Sequence, residues 1–271
     1  MRIFVCIKQV PDTETRIKLS ADNQQVDTNG IKWVINPYDE FAVEEAIRYK
    51  EANPDTQVTA ITIGPKTRVN NALLTAMAMG ADDSILIDCD QPLDSFTAAQ
   101  TLAGAIKAEG DFSLVFTGKL SIDENVSATG QMLAQLLEIP HASVVSKLDY
   151  GSGEVTAERE VEGGTKETFK LQLPALIAAN KGLNKPRFAS LPGIMKAKKK
   201  PIKNLSLADV GVSVDNMKVK FTNFALPAEK PPCKMIGGDP QTQVNELVRL
   251  LQEEAKILYE GWRNEKSISF C

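Results

Sequence analysis

The sequence predicts an α/β chain: a doubly wound, mostly parallel sheet with an extended C-terminal arm and a terminal helix. Three observations carry this. In the first half, short apolar β-type runs alternate with helically spaced segments across short turns, the pattern of a parallel sheet covered on both faces. Around Gly163-Gly164, two alternating runs face each other as an antiparallel hairpin. From residue 201 onward Pro and Lys replace periodicity, until Val244 to Leu258 restores it as an amphipathic stripe.

Taken in order, residues 2–7 (RIFVCI) read as a buried strand. Residues 14–34 form a hairpin excursion broken at Asp22-Asn23 and Asn29-Gly30. A helix follows with Phe41, Ala42, Ala46, Ile47 and Tyr49 at its apolar spacing and Asp39 as the expected cap. Val58 to Ile63 is a strand, the run to Met79 a helix, and Ser84 to Ile87 a strand. Thr97 to Ala108 is a helix, Phe112 to Phe116 a strand, and Ser127 to Leu137 a helix. Val155 to Arg159 and Thr168 to Leu173 make the hairpin, and Leu176 to Ala179 adds a short apolar strand. The last helix, with Val244, Leu247, Leu251, Ala255 and Leu258 on one stripe, is expected to pack on another subunit or back on its own core, the subunit being favoured.

Bulk properties narrow the function. The chain of 271 residues is 43% hydrophobic and 24% charged, enough for one large core or two modest ones. A net charge of −4 argues against general nucleic-acid affinity, so the lysines near residue 200 are a local feature. No apolar run approaches the roughly 18 residues of a membrane span, and the opening MRIFVCIKQV alternates like a strand rather than a signal peptide. Cys6, Cys89, Cys233 and Cys271 stand far apart without a CxxC, which gives zinc or redox-pair chemistry no support and fits a reducing compartment. The single histidine, His141, is expected to be structural.

Parallel sheets bind ligands beyond their carboxyl strand ends, here the loops after Ile7, Ile63 and Phe116. The stretch TGKLSIDENVSATGQM, Thr117 to Met132, runs from a strand through glycine and a polar loop to a helix start. Such a start presents N–H groups and a dipole to an anion, with Ser127 and Thr129 as further donors; an ordinary capped helix reads equally well. It is neither a Walker A nor a GxGxxG motif. Asp123 and Glu124 read as charge complementing the helix dipole before they read as acid/base groups or Mg²⁺ ligands. No complete catalytic constellation is visible, which points to a nucleotide-holding or cofactor-sharing protein and not an enzyme.

Arg187 to Ile202, RFASLPGIMKAKKKPI, sets Leu191, Ile194 and Met195 about Pro192-Gly193 and then runs into Lys196, Lys198, Lys199 and Lys200, with Lys203 beyond. Core segments do not end in lysine ladders and nucleic-acid patches rarely carry an apolar tip, so the residues alone leave the role of this loop open.

Together VCIKQVPDT, INPYDEFAVEEAI, ALLTAMAMGAD, GKLSID…TGQM, AEREVEGGTKETFKLQLPALIA and RFASLPGIMKAKKK resemble the β (small) subunits of electron transfer flavoproteins, in the right order over nearly the whole chain to about Leu258. Phe169 departs from the family's usual aliphatic residue, and the tail YEGWRNEKSISFC matches nothing in it. The resemblance implies an adenine-nucleotide α-hydrolase-like sheet over residues 1–200 including the recognition loop 187–200. It also implies an arm and helix over 201–258 on the partner subunit, and a tail over 259–271. It implies a heterodimer with an α subunit that supplies most of the FAD site, and AMP held here as a structural ligand. The AMP positions carried over are Cys6, Lys8, Asn36, Pro37, Tyr38, Asp39, Ile63, Asp123, Asn125, Val126, Ser127, Ala128, Thr129, Gly130, Gln131 and Met132.

Leu191, Pro192, Ile194, Met195 and Lys196 would dock flavin dehydrogenases such as acyl-CoA dehydrogenases, with a quinone-linked oxidoreductase as acceptor. Arg159 and Glu160 would face the moving flavin domain, Glu160 pairing with an α-subunit arginine. The compartment implied is the bacterial cytoplasm, or the mitochondrial matrix in a eukaryote. KQVPDT also occurs in an electron-bifurcating branch with a second FAD in place of AMP, although Asp123 to Ala128 lacks that branch's Asp-Gly-Asp-Thr-Ala-Gln run. A stand-alone adenine-nucleotide-binding protein is the alternative of another class, but KQVPDTE has no glycine for its phosphate loop.

Overall fold

The computed structural model describes residues 1–230 and 232–258. Its first compact unit spans Met1–Phe224. It is built on β1 (Arg2–Cys6), β2 (Gln9–Pro11), β3 (Trp33–Ile35), α1 (Pro37–Ala52), β4 (Gln57–Gly64), α2 (Lys66–Met79), β5 (Asp83–Asp88), α3 (Ser95–Ala108), β6 (Leu114–Gly118) and α4 (Thr129–Leu137). There follow β7 (His141–Tyr150), β8 (Glu154–Glu160), β9 (Lys166–Gln172), β10 (Ala175–Ala179), α5 (Leu191–Ala197) and β11 (Lys203–Ser206). Nine strands form one sheet in the order β11-β5-β4-β1-β6-β10-β7-β8-β9. Neighbours from β11 to β7 run parallel; β8 and β9 are antiparallel.

β1 sits centrally and explains the two cores. Successive strand side chains point to opposite faces. Ile3 and Val5 pack under α1 and α2, whereas Phe4 and Cys6 pack under α3 and α4. A stretch buried on both faces must be apolar throughout, and IFVC is, with half-buried Arg2 only at its start.

The expected alternation of strands and helices in the first half, the excursion after β1 and the Gly163-Gly164 hairpin are all present. Gly163 and Gly164 adopt φ 76° and 75°, left-handed values that favour glycine. The excursion closes through β2 against β3 and a bridge from Leu19 to Val26.

Several local readings are corrected. Asp39 does not cap α1: Asn36 is the N-cap, Pro37 opens the helix, and Asp39 lies inside the first turn with its carboxylate engaged elsewhere. α4 starts at Thr129, not Ser127, because Ser127 takes φ 54° and donates its hydroxyl to Lys119 O at 2.8 Å. The ten-residue β7 was not expected; exposed His141 is its first residue. Residues 187–200 are not all loop, since α5 forms there behind Ser190, whose hydroxyl accepts Gly193 N–H at 3.1 Å. β11 lies in the stretch read as arm and extends the sheet edge beside β5.

The second unit begins at Ala225. It carries α6 (Pro240–Glu253), capped by Asp239, whose carboxylate accepts Thr242 N–H at 3.0 Å. Val244 and Leu247 are exposed on it. The helix ends at Glu253, so Ala255 and Leu258 fall outside the expected stripe. The tail 259–271 lies outside the described residues. No helix among the described residues is long and apolar enough to cross a membrane.

Candidate functional site

β4, β1 and β6 are adjacent and parallel, so their following loops meet at one edge of the sheet. Asp39 ties three of the surrounding segments together. Its carboxylate accepts Lys8 N–H at 2.7 Å, the Asn36 side-chain amide at 2.9 Å and Gly118 N–H at 3.0 Å. Asn36 extends the knot: its Nδ2 donates to Leu120 O at 2.8 Å and its Oδ1 accepts Ile122 N–H at 3.2 Å. Both side chains are buried, as a hub of backbone-directed hydrogen bonds requires. Gly118 is the partner that sequence reading missed. A β-carbon there would collide with Asp39 Oδ1 and with Tyr38. Its signal was a glycine ending a β-branched, apolar strand.

Burial pushes the Asp39 carboxyl up to about 7, against the pull of its three donors and the Lys8 charge. An unfolded aspartate titrates near 3.9, so between roughly pH 4 and 7 the folded chain holds a proton that the unfolded chain releases. This group alone therefore makes stability fall as pH rises through that window, by up to about 1.4 kcal/mol per pH unit. Asp39→Asn is expected to remove this slope, read from urea midpoints between about pH 4.5 and about pH 8. Equal slopes in the two proteins would mean that Asp39 stays ionised throughout.

The loop between β6 and α4 is held from several sides. Lys8 Nζ pairs with Asp123 at 2.9 Å and Glu124 at 3.4 Å, so these carboxylates serve Lys8 and do not sit in the first turn of α4. Asn125, with φ 54°, donates its N–H to Ser121 O at 2.8 Å, and Val126 is half exposed. Ala128 caps α4 without a side-chain bond. Met132 N–H closes the first intrahelical bond, to Ala128 O, which leaves the N–H groups of Thr129, Gly130 and Gln131 outside the helical ladder. Thr117 Oγ1 is buried without a hydrogen-bond partner and lies 3.0 Å from where a Gly130 β-carbon would stand. Three open N–H groups at a dipole's positive end, glycines allowing close approach and an orphan hydroxyl suit an anion such as a nucleotide phosphate.

The remaining residues frame this edge. Cys6 ends β1 facing the α3/α4 core, and burial, with Asp39 nearby, pushes its thiol far above the ordinary value, which rules out an easily formed thiolate. Ile63 is half-buried near the end of β4. Lys119 Nζ stands 4.7 Å from the Tyr38 ring centroid.

The docking candidates lie elsewhere on the same unit. Leu191 is 78% and Met195 66% exposed, Pro192 and Lys196 are exposed, and Ile194 is half-buried against the α1/α2 core. Arg187 forks onto buried Glu44 at 2.8 and 3.0 Å and reaches Glu51. Lys200 is no rim charge, because it donates to the carbonyls of Ala81 and Asp82 at 3.1 and 2.8 Å, and Lys203 pairs with Glu109. Phe188, 97% exposed, joins the apolar tip and was not singled out from sequence. On β8, Arg159 is committed to Glu167 and lies over Phe169, its carbon 4.9 Å from the ring centroid. Exposed Glu160 forms no ion pair among the described residues.

Fold and edge together define a doubly wound α/β protein whose helix start at the carboxyl ends of the central strands suits an anion. Residues 24–210 match the electron transfer flavoprotein domain. The electron transfer flavoprotein subunit beta of Bacillus subtilis is 41% identical over 264 residues, covering 95% of this chain and all of that one. The mitochondrial subunit beta of Arabidopsis thaliana is 39% identical over 260 residues, with 95% and 100% covered. The electron transfer flavoprotein subunit beta of Mus musculus is 37% identical over 261 residues, with 95% and 99% covered. The chain belongs to the electron transfer flavoprotein family, as a β subunit, and the resemblance read from its motifs is borne out.

Proposed function

We propose that this β subunit pairs with an α subunit that holds most of the FAD, keeps AMP as a structural ligand in its own crevice, and docks flavin dehydrogenases through residues 187–200. Electrons would pass on to a quinone-linked oxidoreductase. The observation that carries the reading is the build of the docking segment. Leu191 and Met195 on α5, with Phe188 just before it, face solvent on a segment clamped at one end by Arg187 and at the other by Lys200. An apolar tip held rigid in water favours a partner that covers it. Lys196, Lys198 and Lys199 stay exposed around it and would steer an acidic partner.

The crevice residues fit AMP: the phosphate would take the N–H groups of Thr129, Gly130 and Gln131, with the Asp39 hub holding the walls. FAD, when bound, supplies the electron carriage, and this chain positions its partner. Glu160 would meet an α-subunit arginine, because Arg159 is already satisfied by Glu167.

The test is the nucleotide content of the heterodimer, denatured after co-purification. One FAD and one AMP are expected. Two FAD without AMP would overturn the structural-AMP reading in favour of electron bifurcation, and no nucleotide would sink both.

A further inference from the structure

α1 carries two adjacent glutamates, Glu44 and Glu45, that are only 4% and 5% exposed. Carboxylates are seldom buried this far unless something pairs with them. Their long-range partners lie in the chain that leads from β10 into α5, 139 to 143 residues further on. Glu44 Oε2 accepts the Arg187 backbone N–H at 3.1 Å and its Nε–H at 2.8 Å, and Oε1 accepts Nη2 at 3.0 Å. Glu45 Oε2 accepts the Asn184 side-chain amide at 2.8 Å, while its Oε1 accepts the Tyr150 hydroxyl at 3.0 Å.

The segment they hold has little else to fix it. Between β10 and α5 it belongs to no strand or helix. From Asn184 to Ala189 its backbone makes one hydrogen bond among the described residues, that of Arg187 N–H to Glu44. Leu183, Ala189 and Ile194 rest partly buried on the α1/α2 core, but apolar contact is non-directional and does not decide where a chain points. The guanidinium fork does, because its two bonds to one carboxylate share a plane. Exposed Phe188 stands one residue beyond that fork and exposed Leu191 four. A tip left loose would have to be ordered at the moment of docking, which costs affinity.

We propose that Glu44 and Glu45 are positioning residues for docking: two buried carboxylates on α1 that fix the root of residues 187–200, so that the apolar tip is in place before a dehydrogenase arrives. This rests on the docking reading above and extends it from the side chains that touch the partner to the pair that aims them. Both glutamates are buried, so they act through the segment and not by contact with the partner.

The experiment follows turnover of an acyl-CoA dehydrogenase with the intact heterodimer as electron acceptor, using wild type, Glu44→Gln, Leu191→Ala and the double variant. Glu44→Gln turns an amide N–H toward the Arg187 fork. It is expected to raise the KM for the heterodimer about tenfold, the scale of one charge-assisted hydrogen bond, with kcat within about twofold. Glu45→Gln, whose partner in the segment is the neutral Asn184, should raise it about threefold. In the Leu191→Ala background Glu44→Gln should cost about threefold or less, because a tip without its leucine gains less from being aimed. Arg187→Lys, which keeps the charge but cannot fork, should raise KM as Glu44→Gln does, and it decides the matter if Glu44→Gln fails to assemble. An unchanged KM with a lowered melting midpoint would make the pair a stability feature alone and overturn the proposal, while a slowed Leu191→Ala would keep the docking reading. A tenfold rise in both backgrounds would also overturn it, since Glu44 would then act elsewhere. No effect of Leu191→Ala on KM would sink the docking reading and the proposal with it.

Discussion

Leu191→Ala is expected to slow electron transfer from a partner dehydrogenase by about 10- to 100-fold at sub-saturating partner, because one buried leucine is worth roughly 1.5–3 kcal/mol. The side chain is 78% exposed in this chain, so its removal costs the fold almost nothing and the loss falls on the complex. FAD and AMP contents of the heterodimer should be unchanged. The accompanying variant Lys198→Ala alters an exposed rim charge, and should change the salt dependence of the association rate more than the affinity. Stopped-flow reduction of the heterodimer by the dehydrogenase reads both. Loss of flavin from Leu191→Ala with unchanged partner kinetics would sink the docking role.

Gly118→Val is expected to destabilise the first unit by about 3 kcal/mol or more and to empty the crevice of AMP. Overpacking alone costs roughly 1–3 kcal/mol. Here the new atoms meet a carboxylate oxygen and a tyrosine on α1, so the Gly118 N–H bond to Asp39 must lengthen as well. Leaving such a buried acceptor short of a donor adds about 1–3 kcal/mol. For a unit of this size the melting midpoint should drop by roughly 10 °C. Gly237→Ala, which meets nothing within 4 Å, is the matched control. An undisturbed midpoint with AMP retained would show that the Asp39 hub does not hold the crevice walls.

The legibility of the chain followed the strength of its periodic signals. β1, β4, β5 and β6 are short apolar runs between helices, and their parallel pairing followed from that alternation. β7 escaped because its first half, HASVV, shows no clean alternation, with Ala142 and Ser143 both buried, and its second half, SKLDY, is mostly polar and resembles a loop. α5 has seven residues, too few for a 3.6-residue period to declare itself, and β11 is a four-residue edge strand with one half-buried residue.

The crevice was legible in outline, from a glycine, a polar loop and a helix start after a strand. Its hub was not. Asp39 looked like a cap because acidic residues favour helix starts, whereas its partners Lys8 and Gly118 lie 31 and 79 residues away in sequence. Arg187 with Glu44, 143 residues apart, was hidden for the same reason. Lys200 was counted with a solvated ladder because nothing local distinguishes a lysine that caps carbonyls from one that meets water.

α2 serves two neighbourhoods at once. Its first turn carries Arg68 beside the crevice, and its last turn seats α5, where a β-carbon at Gly193 would strike Ala78 O. Along this helix Arg68 and Ala78 stand about 15 Å apart. The anchor and the crevice are thus the two tips of one strut. On the docking reading proposed above, a dehydrogenase moored at the far tip would leave the strand-end edge clear for another body to arrive and depart, as a boat on a single line leaves the quay.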